Sequence, residues 1–239
     1  MSDAAKQAAG KRAAVLVESG MKVGLGTGST AAIVIEELGR RIREEGLDIV
    51  GTPTSMSAER LARAAGIPLA TLDELDELDL AIDGADEIDA DLNLIKGRGA
   101  AHTREKVVAS MARRFVVIAD EAKLVDRLGS KAPIPVEVLP MAVHPVSLAL
   151  RRLGGEPELR MGKSKDGPVV TDQGMWVLDA RFVSIDDAAV LAQAIKLLPG
   201  VLDHGLFIGM ASDAIIGSDD GQVRHLSPTS RLHERRKNV

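Results

Sequence analysis

Residues 78–89 read LDLAIDGADEID, an apolar run followed at once by four carboxylates within seven positions. The apolar run is typical of a buried strand, and Gly84 permits a sharp turn directly after it. Carboxylates at such a turn are poorly placed for packing, but they are well placed to face a ligand at the carboxyl edge of a parallel sheet. Taken alone, the cluster is more typical of a solvated acidic loop. Its neighbours in the sequence decide between these two interpretations.

Strands and helices alternate on both sides of this stretch. The apolar spacing predicts strands at 22–25, 48–52, 78–83 and 115–119, and helices at 3–19, 31–46, 57–65 and from about residue 103. Alternating strands and helices imply parallel pairing, with helices on both faces of the sheet. The predicted fold class is therefore α/β, with a Rossmann-like, mostly parallel sheet flanked by helices.

The pattern changes near Gly129. The following segment predicts strands at 134–139, 156–161, 168–172, 175–181 and 201–208, and helices at 144–153 and 186–198. A β-α-β-β-α-β order indicates a smaller, ferredoxin-like α+β domain. We expect a larger α/β domain at 1–130 plus about 206–227, the smaller domain at 131–205, and a flexible tail at 228–239. The apolar run at 213–217 is expected to return to the first sheet.

The composition excludes several classes of protein. The chain has 239 residues, a formal net charge of −5 and no cysteine, so disulfides and thiolate chemistry are impossible. The acidic balance and the scarcity of aromatic residues disfavour a nucleic-acid-binding surface. No apolar run approaches the roughly 20 residues needed to span a bilayer. We expect a soluble, cytoplasmic protein with no nucleic-acid or membrane partner.

A glycine- and hydroxyl-rich loop, GLGTGST at 24–30, lies between a predicted strand and a predicted helix. There, backbone N–H groups and the helix N-terminus are available to an anion. A dinucleotide fingerprint would need glycine in place of Ser29, and a P-loop would need a lysine that the loop lacks. The hydroxyls suit a small phosphate monoester. A plain strand-to-helix turn with a hydroxyl cap is an equally good interpretation of the loop alone.

A second small-residue segment, KGRGAA at 96–101, precedes Thr103 and Glu105. Its small residues let backbone amides approach a ligand, and Lys96 offers a cation. In isolation, a solvated turn is the slightly better interpretation. Thr103 is a candidate helix cap, and a first-turn glutamate such as Glu105 is most often only a partner of the helix dipole.

Metal binding receives little support. The five histidines are scattered without the spacing of a metal site. Asp83, Asp86 and Asp89 could together hold Mg²⁺, but the nearby Lys96 disfavours this alternative. We predict no metal site.

Together and in this order, these segments resemble the type A family of ribose-5-phosphate isomerases over nearly the whole chain. The matching segments are 24–30, 83–87, 96–97, 103–106 and 135–138, with later landmarks at 199–201 and 205–207. The resemblance implies interconversion of ribose 5-phosphate and ribulose 5-phosphate without metal or nucleotide, so no cofactor is expected. It also implies a homodimer or homotetramer.

The resemblance assigns roles to individual residues. It makes Glu105 the base that moves a proton between carbons 1 and 2. Asp83 and Asp86 would serve ring opening and hydroxyl proton transfer, while Lys96 would stabilise the developing oxyanion. The implied substrate-binding residues are Gly26, Thr27, Gly28, Ser29, Thr30, Gly84, Ala85, Gly97, Arg98, Gly99 and Lys131, with Lys6 as a looser candidate for a phosphate contact.

One departure and two rival functions stay open at this point. Arg98 interrupts what is an unbroken glycine run in the family, and we expect its side chain to extend to solvent. The main alternative is a non-catalytic sugar-phosphate sensor, although only about 20 residues precede the first strand, too few for the DNA-binding unit that such a sensor carries. A different sugar-phosphate isomerase or a transferase of related fold is a further alternative, and a coenzyme-A transferase would also need a glutamate nucleophile and a larger ligand channel.

Overall fold

The structure is a computed structural model that describes residues 3–164 and 166–228. Apart from residue 228, the predicted flexible tail lies outside the described residues. The helices are α1 (Asp3–Ala14), α2 (Ser29–Glu45), α3 (Met56–Ala64), α4 (His102–Ser110), α5 (Val143–Arg152) and α6 (Ala188–Lys196). The strands are β1 (Lys22–Leu25), β2 (Val50–Pro53), β3 (Leu78–Gly84), β4 (Glu87–Ile88), β5 (Leu94–Ile95), β6 (Ala112–Asp120), β7 (Ile134–Val138), β8 (Gly155–Leu159), β9 (Trp176–Phe182), β10 (Val201–His204), β11 (Leu206–Phe207), β12 (Asp213–Gly217) and β13 (Val223–Leu226).

The central sheet has six strands in the order β13-β12-β6-β3-β1-β2. All neighbouring pairs are parallel except β12 and β13, which pair antiparallel. The predicted return of the chain at 213–217 is confirmed by the pairing of β12 with β6, whereas β13 was not predicted. Because β1, β3 and β6 run parallel, their carboxyl ends meet at one edge of the sheet.

Helices cover both faces of this sheet, as predicted. Along β3, Leu80 and Ile82 pack into one apolar cluster with α1, α2 and α3, while Ala81 packs into a second cluster with α4. This alternation follows from the two-residue period of a strand. The α/β fold class is confirmed.

Phe115 on β6 belongs to the second apolar cluster, and its replacement tests how much the packing of that cluster stabilises the fold. It is 2% exposed, and its ring lies 6.4 Å from that of Phe207, centroid to centroid. We expect Phe115→Ala to lower the free energy of unfolding by about 3–5 kcal/mol, measured by urea unfolding, because a cavity replaces the ring. Val183→Ala is the control, since Val183 is fully exposed. A loss below about 1 kcal/mol for Phe115→Ala would contradict this assignment.

A second sheet, in the order β10-β7-β9-β8, is antiparallel throughout. Its elements follow the chain order β7-α5-β8-β9-α6-β10, which together with that strand order is the ferredoxin-like arrangement that the sequence predicts. This sheet falls within the predicted segment 131–205, although the domain boundaries themselves stay a prediction. A third apolar cluster fills the space between the sheet and its two helices.

The predicted strand at 168–172 is wrong. Only two isolated bridges occur there, Met161 with Pro168 and Val170 with Trp176. The reason is a tight turn: the Gly174 N–H donates to the Thr171 carbonyl at 2.9 Å, and the Thr171 N–H donates to the Met175 carbonyl at 2.9 Å. The turn takes up the backbone groups that a strand would need for pairing.

The predicted strand at 201–208 is divided between two sheets. β10 belongs to the second sheet, and β11 pairs with β5 in a small third sheet, β11-β5-β4. At the break, the Gly205 N–H donates to the Pro135 carbonyl at 2.7 Å and its carbonyl accepts from the Lys96 N–H at 2.9 Å. A Cβ at position 205 would collide with the Lys96 carbonyl. Gly205 thus allows the chain to pass directly beside Lys96 and to fix its backbone.

Candidate active site

A cavity of about 340 Å³ opens at the carboxyl edge of the central sheet. It brings together most of the predicted site residues, which come from three separate loops and one helix. The lining residues are Thr27, Gly28, Ser29, Thr30, Ala31, Gly84, Ala85, Asp86, Lys96, Gly97, Arg98, Gly99, Glu105 and Lys123. Polar groups that converge on one concave site at the end of parallel strands are typical of a small-molecule site.

Three ionisable side chains from three different elements meet in this site. The Lys96 Nζ lies 3.1 Å from the Asp83 Oδ2 and 3.2 Å from the Glu105 Oε2, and it donates to the Gly84 carbonyl at 2.5 Å. The exposed fractions of Asp83, Lys96 and Glu105 are 3%, 2% and 5%. Because these side chains are shielded from water, the electrostatic interactions among them are strong. Hydrogen bonds to the surrounding backbone fix the positions of Asp83 and Lys96.

Backbone groups at the strand end hold Asp83. Its Oδ1 accepts from the Thr27 N–H at 3.0 Å and from the Gly84 N–H at 2.7 Å. A Cβ at Gly26 would overlap the Asp83 carboxylate, so glycine at position 26 permits the close approach of the two loops. Gly26 is therefore a supporting residue behind the cavity, and it is not among the residues that line it.

Glu105 lies in the first turn of α4, as predicted. The predicted cap at Thr103 is wrong, because the helix already begins at His102 and its N-cap residue, Ala101, makes no side-chain cap. The Thr103 hydroxyl donates instead to the buried carboxylate of Glu137 on β7. The contact ties the start of α4, and with it Glu105, to the second sheet.

Burial sets the protonation of this cluster. It raises the pKa of Glu105 to about 8, against the lowering effect of the Lys96 charge. Burial likewise raises the pKa of Asp83, again opposed by Lys96. For Lys96, burial acts to lower the pKa, but the carboxylates of Asp83 and Glu105 outweigh it and the net direction is upward. A glutamate that titrates near working pH beside a fixed cation has the properties of a general base.

We expect the free energy of unfolding to fall by about 1–2 kcal/mol as the pH rises from about 6.5 to 8. The folded pKa of Glu105, about 8, is above its ordinary value of 4.5. In this range the folded protein therefore keeps a proton that the unfolded chain has released, so a rise in pH favours unfolding. The effect can be measured by urea unfolding at constant ionic strength. Glu105→Gln should flatten the curve, and an unchanged slope in that variant would refute the assignment.

The loop at 27–30 also lines the cavity. The Thr27 hydroxyl bonds with the Thr54 hydroxyl at 2.8 Å and the Ser55 hydroxyl at 2.7 Å, which fixes the start of the loop. α2 then begins at Ser29, and its N-cap Gly28 supplies no side-chain cap. The first N–H groups of α2 are thus available to an anion.

Lys123 lines the same cavity but was not predicted. It follows β6, which ends at Asp120. The sequence did contain a usable signal, because a lysine three residues after a buried parallel strand must lie at the ligand-binding edge of the sheet. The predicted residue Lys131 does not line this cavity but a second one, which shares Asp86, Arg98 and Lys123 with it. Its Nζ donates to the carbonyls of Ala122 at 2.8 Å and Leu124 at 3.0 Å. Lys6 is on α1, with its Nζ 3.9 Å from Asp3, and does not line the cavity.

Asp86 is held by the segment after Lys96. Its Oδ2 accepts from the Arg98 N–H at 3.0 Å. The Arg98 side chain is exposed, as expected, although the residue borders the cavity. The other two acidic residues of the stretch have structural roles: Glu87 is buried and accepts from the backbone of 129–132, and Asp89 accepts from the backbone of a turn at 91–93.

Neither a metal-binding cluster nor a membrane-crossing helix is found among the described residues. Within 3–164 and 166–228, no three His, Asp or Glu side chains are grouped so that they could hold a metal ion. Among the helices of the same residues, none is long and apolar enough to cross a membrane.

Comparisons with known proteins agree with this geometry. The family model described as ribose 5-phosphate isomerase A (phosphoriboisomerase A) matches residues 50–221. The ribose-5-phosphate isomerase A of Thermosynechococcus vestitus is 60% identical over 219 residues, which cover 91% of this chain and 93% of the relative. That of Haloarcula marismortui is 56% identical over 227 residues, covering 95% of this chain and 97% of the relative.

Solved structures give the same result. The ribose 5-phosphate isomerase A of Methanocaldococcus jannaschii superposes with a TM-score of 0.89 at 49% identity, covering 93% of this chain and 97% of that one. A D-ribose-5-phosphate isomerase in complex with phospho-erythronic acid gives a TM-score of 0.91 at 46% identity with the same coverage. On this agreement of sequence, fold and site, the chain belongs to the ribose-5-phosphate isomerase A family.

Proposed function

We propose that this protein interconverts D-ribose 5-phosphate and D-ribulose 5-phosphate. The observation that carries the proposal is the buried group of Asp83, Lys96 and Glu105 at a cavity that the uncapped N-terminus of α2 also lines. A substrate with a carbonyl at one end and a phosphate at the other matches these two features. Membership of the family supports the choice of a pentose 5-phosphate.

The chemistry follows from the positions of the charged groups. Glu105, when ionised, removes the proton from carbon 2 of the open-chain aldose and returns it to carbon 1 through an enediolate. The ammonium of Lys96 stabilises the negative oxygen that forms during this transfer. Asp83 and Asp86 move protons between the sugar hydroxyls and assist ring opening. A fixed cation and a base of matched pKa are the two groups that such a proton transfer requires.

The phosphate is assigned to the N-terminus of α2. The N–H groups and hydroxyls of Ser29 and Thr30 at the start of α2 bind the phosphate oxygens, and Lys123 adds a positive charge. Binding the phosphate at a distance from the reacting carbons fixes the orientation of the sugar, so that carbons 1 and 2 lie beside Glu105.

The ligand of one structural relative supports the choice of substrate. That relative is a complex with phospho-erythronic acid, which carries a phosphate at one end and a carboxylate at the other. A carboxylate is planar and has its charge spread over two oxygens, as an enediolate does. A site that binds such a molecule is matched to the intermediate of this reaction.

The test is a direct assay. The purified protein, in the presence of EDTA, should convert ribose 5-phosphate to ribulose 5-phosphate, followed by absorbance of the ketose or by NMR. Tight binding of the sugar phosphate without conversion would favour the sensor instead. Conversion that is abolished by EDTA and restored by Mg²⁺ would instead indicate a metal ion bound by Asp83 and Asp86.

The homodimer or homotetramer and the cytoplasmic location stay predictions. Exposed apolar side chains next to the helices of the second sheet support self-association through this part of the chain; among them are Met141, just before α5, at 88% exposure and Leu197, just after α6, at 73%. Sedimentation or light scattering of the purified protein would decide the oligomeric state.

A further inference from the structure

The segment that follows Lys96 has an unusual backbone. Gly97 has φ +107° and Ala100 has φ +58°, so two of four consecutive residues lie in the left-handed region. For alanine this conformation is strained, and it persists only when surrounding contacts hold it. The Ala100 N–H donates to the Gly97 carbonyl at 3.0 Å, but this bond is local and does not tie the loop to the second sheet.

The anchor comes from a distant residue, Arg160, which directly follows β8. Its Nη1 donates to the carbonyl of Gly97 at 2.9 Å and to that of Arg98 at 3.1 Å. Its Nε donates to the Asp179 Oδ2 at 2.8 Å and its Nη2 to the Asp179 Oδ1 at 2.5 Å. The side chains are only 15% and 22% exposed. Asp179 on β9 thus fixes the guanidinium in a bidentate pair, and the guanidinium fixes the loop.

The two carbonyls belong to peptide groups that border the active site. The Gly97 carbonyl shares a peptide with the Arg98 N–H, which donates to Asp86 Oδ2. The Arg98 carbonyl shares a peptide with the N–H of Gly99, a residue that lines the cavity. A positive charge at the carbonyl end of a peptide polarises it, so that its N–H becomes a stronger donor to an anion.

We propose that Arg160, held by Asp179, is a positioning residue for the isomerisation: it fixes and polarises the peptides of the 97–99 loop, which orient Asp86 and face the charge that develops on the substrate. The inference rests on the proposed function. It also gives the second sheet a part in catalysis, since both Arg160 and Asp179 belong to that sheet or directly follow one of its strands. Preorganised peptide dipoles act mainly in the transition state, where the charge is greatest.

The primary experiment measures steady-state kinetics of Arg160→Met, Arg160→Lys and Asp179→Asn. We expect Arg160→Met to lower kcat and kcat/KM together by about 10- to 100-fold, with KM changed less than about 3-fold, because the lost interaction belongs to the transition state. Arg160→Lys should recover part of this loss, since a single ammonium can reach one carbonyl. Methylguanidinium added to Arg160→Met should raise its kcat. Arg181→Met is the matched control, because Arg181 is an exposed arginine on the same strand as Asp179.

A double-mutant cycle tests the role of Asp179. If Asp179 acts only through Arg160, Asp179→Asn should lower kcat less than Arg160→Met does, and the double variant should be no worse than Arg160→Met alone. Additive losses would overturn this part of the proposal. An unchanged kcat in Arg160→Met would overturn the whole proposal, and so would a rise in KM at constant kcat. A loss of activity that neither lysine nor methylguanidinium relieves would show a purely structural role.

A binding experiment separates this inference from the proposed function. Phospho-erythronic acid carries a carboxylate that the polarised peptides should bind, whereas inorganic phosphate should occupy only the phosphate end. Arg160→Met should weaken the binding of phospho-erythronic acid by about 10-fold and leave the binding of inorganic phosphate unchanged, both measured by calorimetry. If the wild-type protein fails to isomerise ribose 5-phosphate but the variant still differs from it in this way, the proposed function is wrong, and only the effect of Arg160 on the 97–99 loop and its ligand stands. Equal weakening of both ligands would overturn that role.

Discussion

Glu105→Gln should lower kcat by about 10³-fold while the sugar phosphate still binds, because the variant keeps the shape of the cavity and loses only the base. Glutamine is nearly isosteric with glutamate but cannot accept the proton from carbon 2. The wild-type side chain is 5% exposed and lies 3.2 Å from the Lys96 Nζ, so a water molecule has little room to replace it. The assay is conversion of ribose 5-phosphate, with solvent deuterium incorporation into the sugar followed by NMR.

The pH profile provides an independent check of the same role. With the pKa of Glu105 raised to about 8 by burial, kcat/KM of the wild-type protein should rise with pH through this value and then level off, since only the ionised form is a base. The residual activity of Glu105→Gln should lack this rise. Glu36→Gln, on the exposed side of α2, is the control and should match the wild type. Turnover that survives in Glu105→Gln would assign the base to another residue.

Lys96→Met is expected to have the second largest effect, a loss of about 10²–10³-fold in kcat. The ammonium is the only cation that the structure places within 4 Å of Asp83 or Glu105 among the described residues. Without it, the negative oxygen of the enediolate has no fixed counter-charge in a site from which water is excluded. Substrate binding should weaken less than turnover, since the phosphate end of the cavity is untouched.

The same variant should have a strongly pH-dependent stability. Removing Lys96 leaves two buried carboxylates that can fold only in protonated form, so unfolding should cost several kcal/mol less at pH 9 than in the wild type and differ little at pH 5. Urea unfolding at the two pH values measures this. Lys11→Met, at an exposed position in the last turn of α1, controls for the loss of a positive charge. Equal destabilisation at both pH values would contradict the proposed charge balance.

Much of the architecture followed from local sequence patterns. The strand at 78–83, the central parallel sheet and the ferredoxin-like order of the second sheet were all predicted, because hydrophobic periodicity reports directly on which faces are buried. The two errors, at 168–172 and 201–208, have different causes. At 168–172 the chain forms a tight local turn between Thr171 and Met175, which the strand pattern overlooked. At 201–208 Gly205 passes beside Lys96, and no local pattern encodes such a contact with a distant segment.

The sequence by itself therefore determined the family, the parallel sheet and the residues that carry the proposed chemistry, since each of these depends on short motifs and on their order. Only the tertiary structure decided the state and surroundings of those residues. The raised pKa of Glu105, the place of Lys123 in the cavity and the anchoring of the 97–99 loop by Arg160 depend on burial and on contacts across many residues. Burial and long-range contacts are properties of three-dimensional packing, because desolvation and hydrogen-bond geometry arise only when distant segments meet.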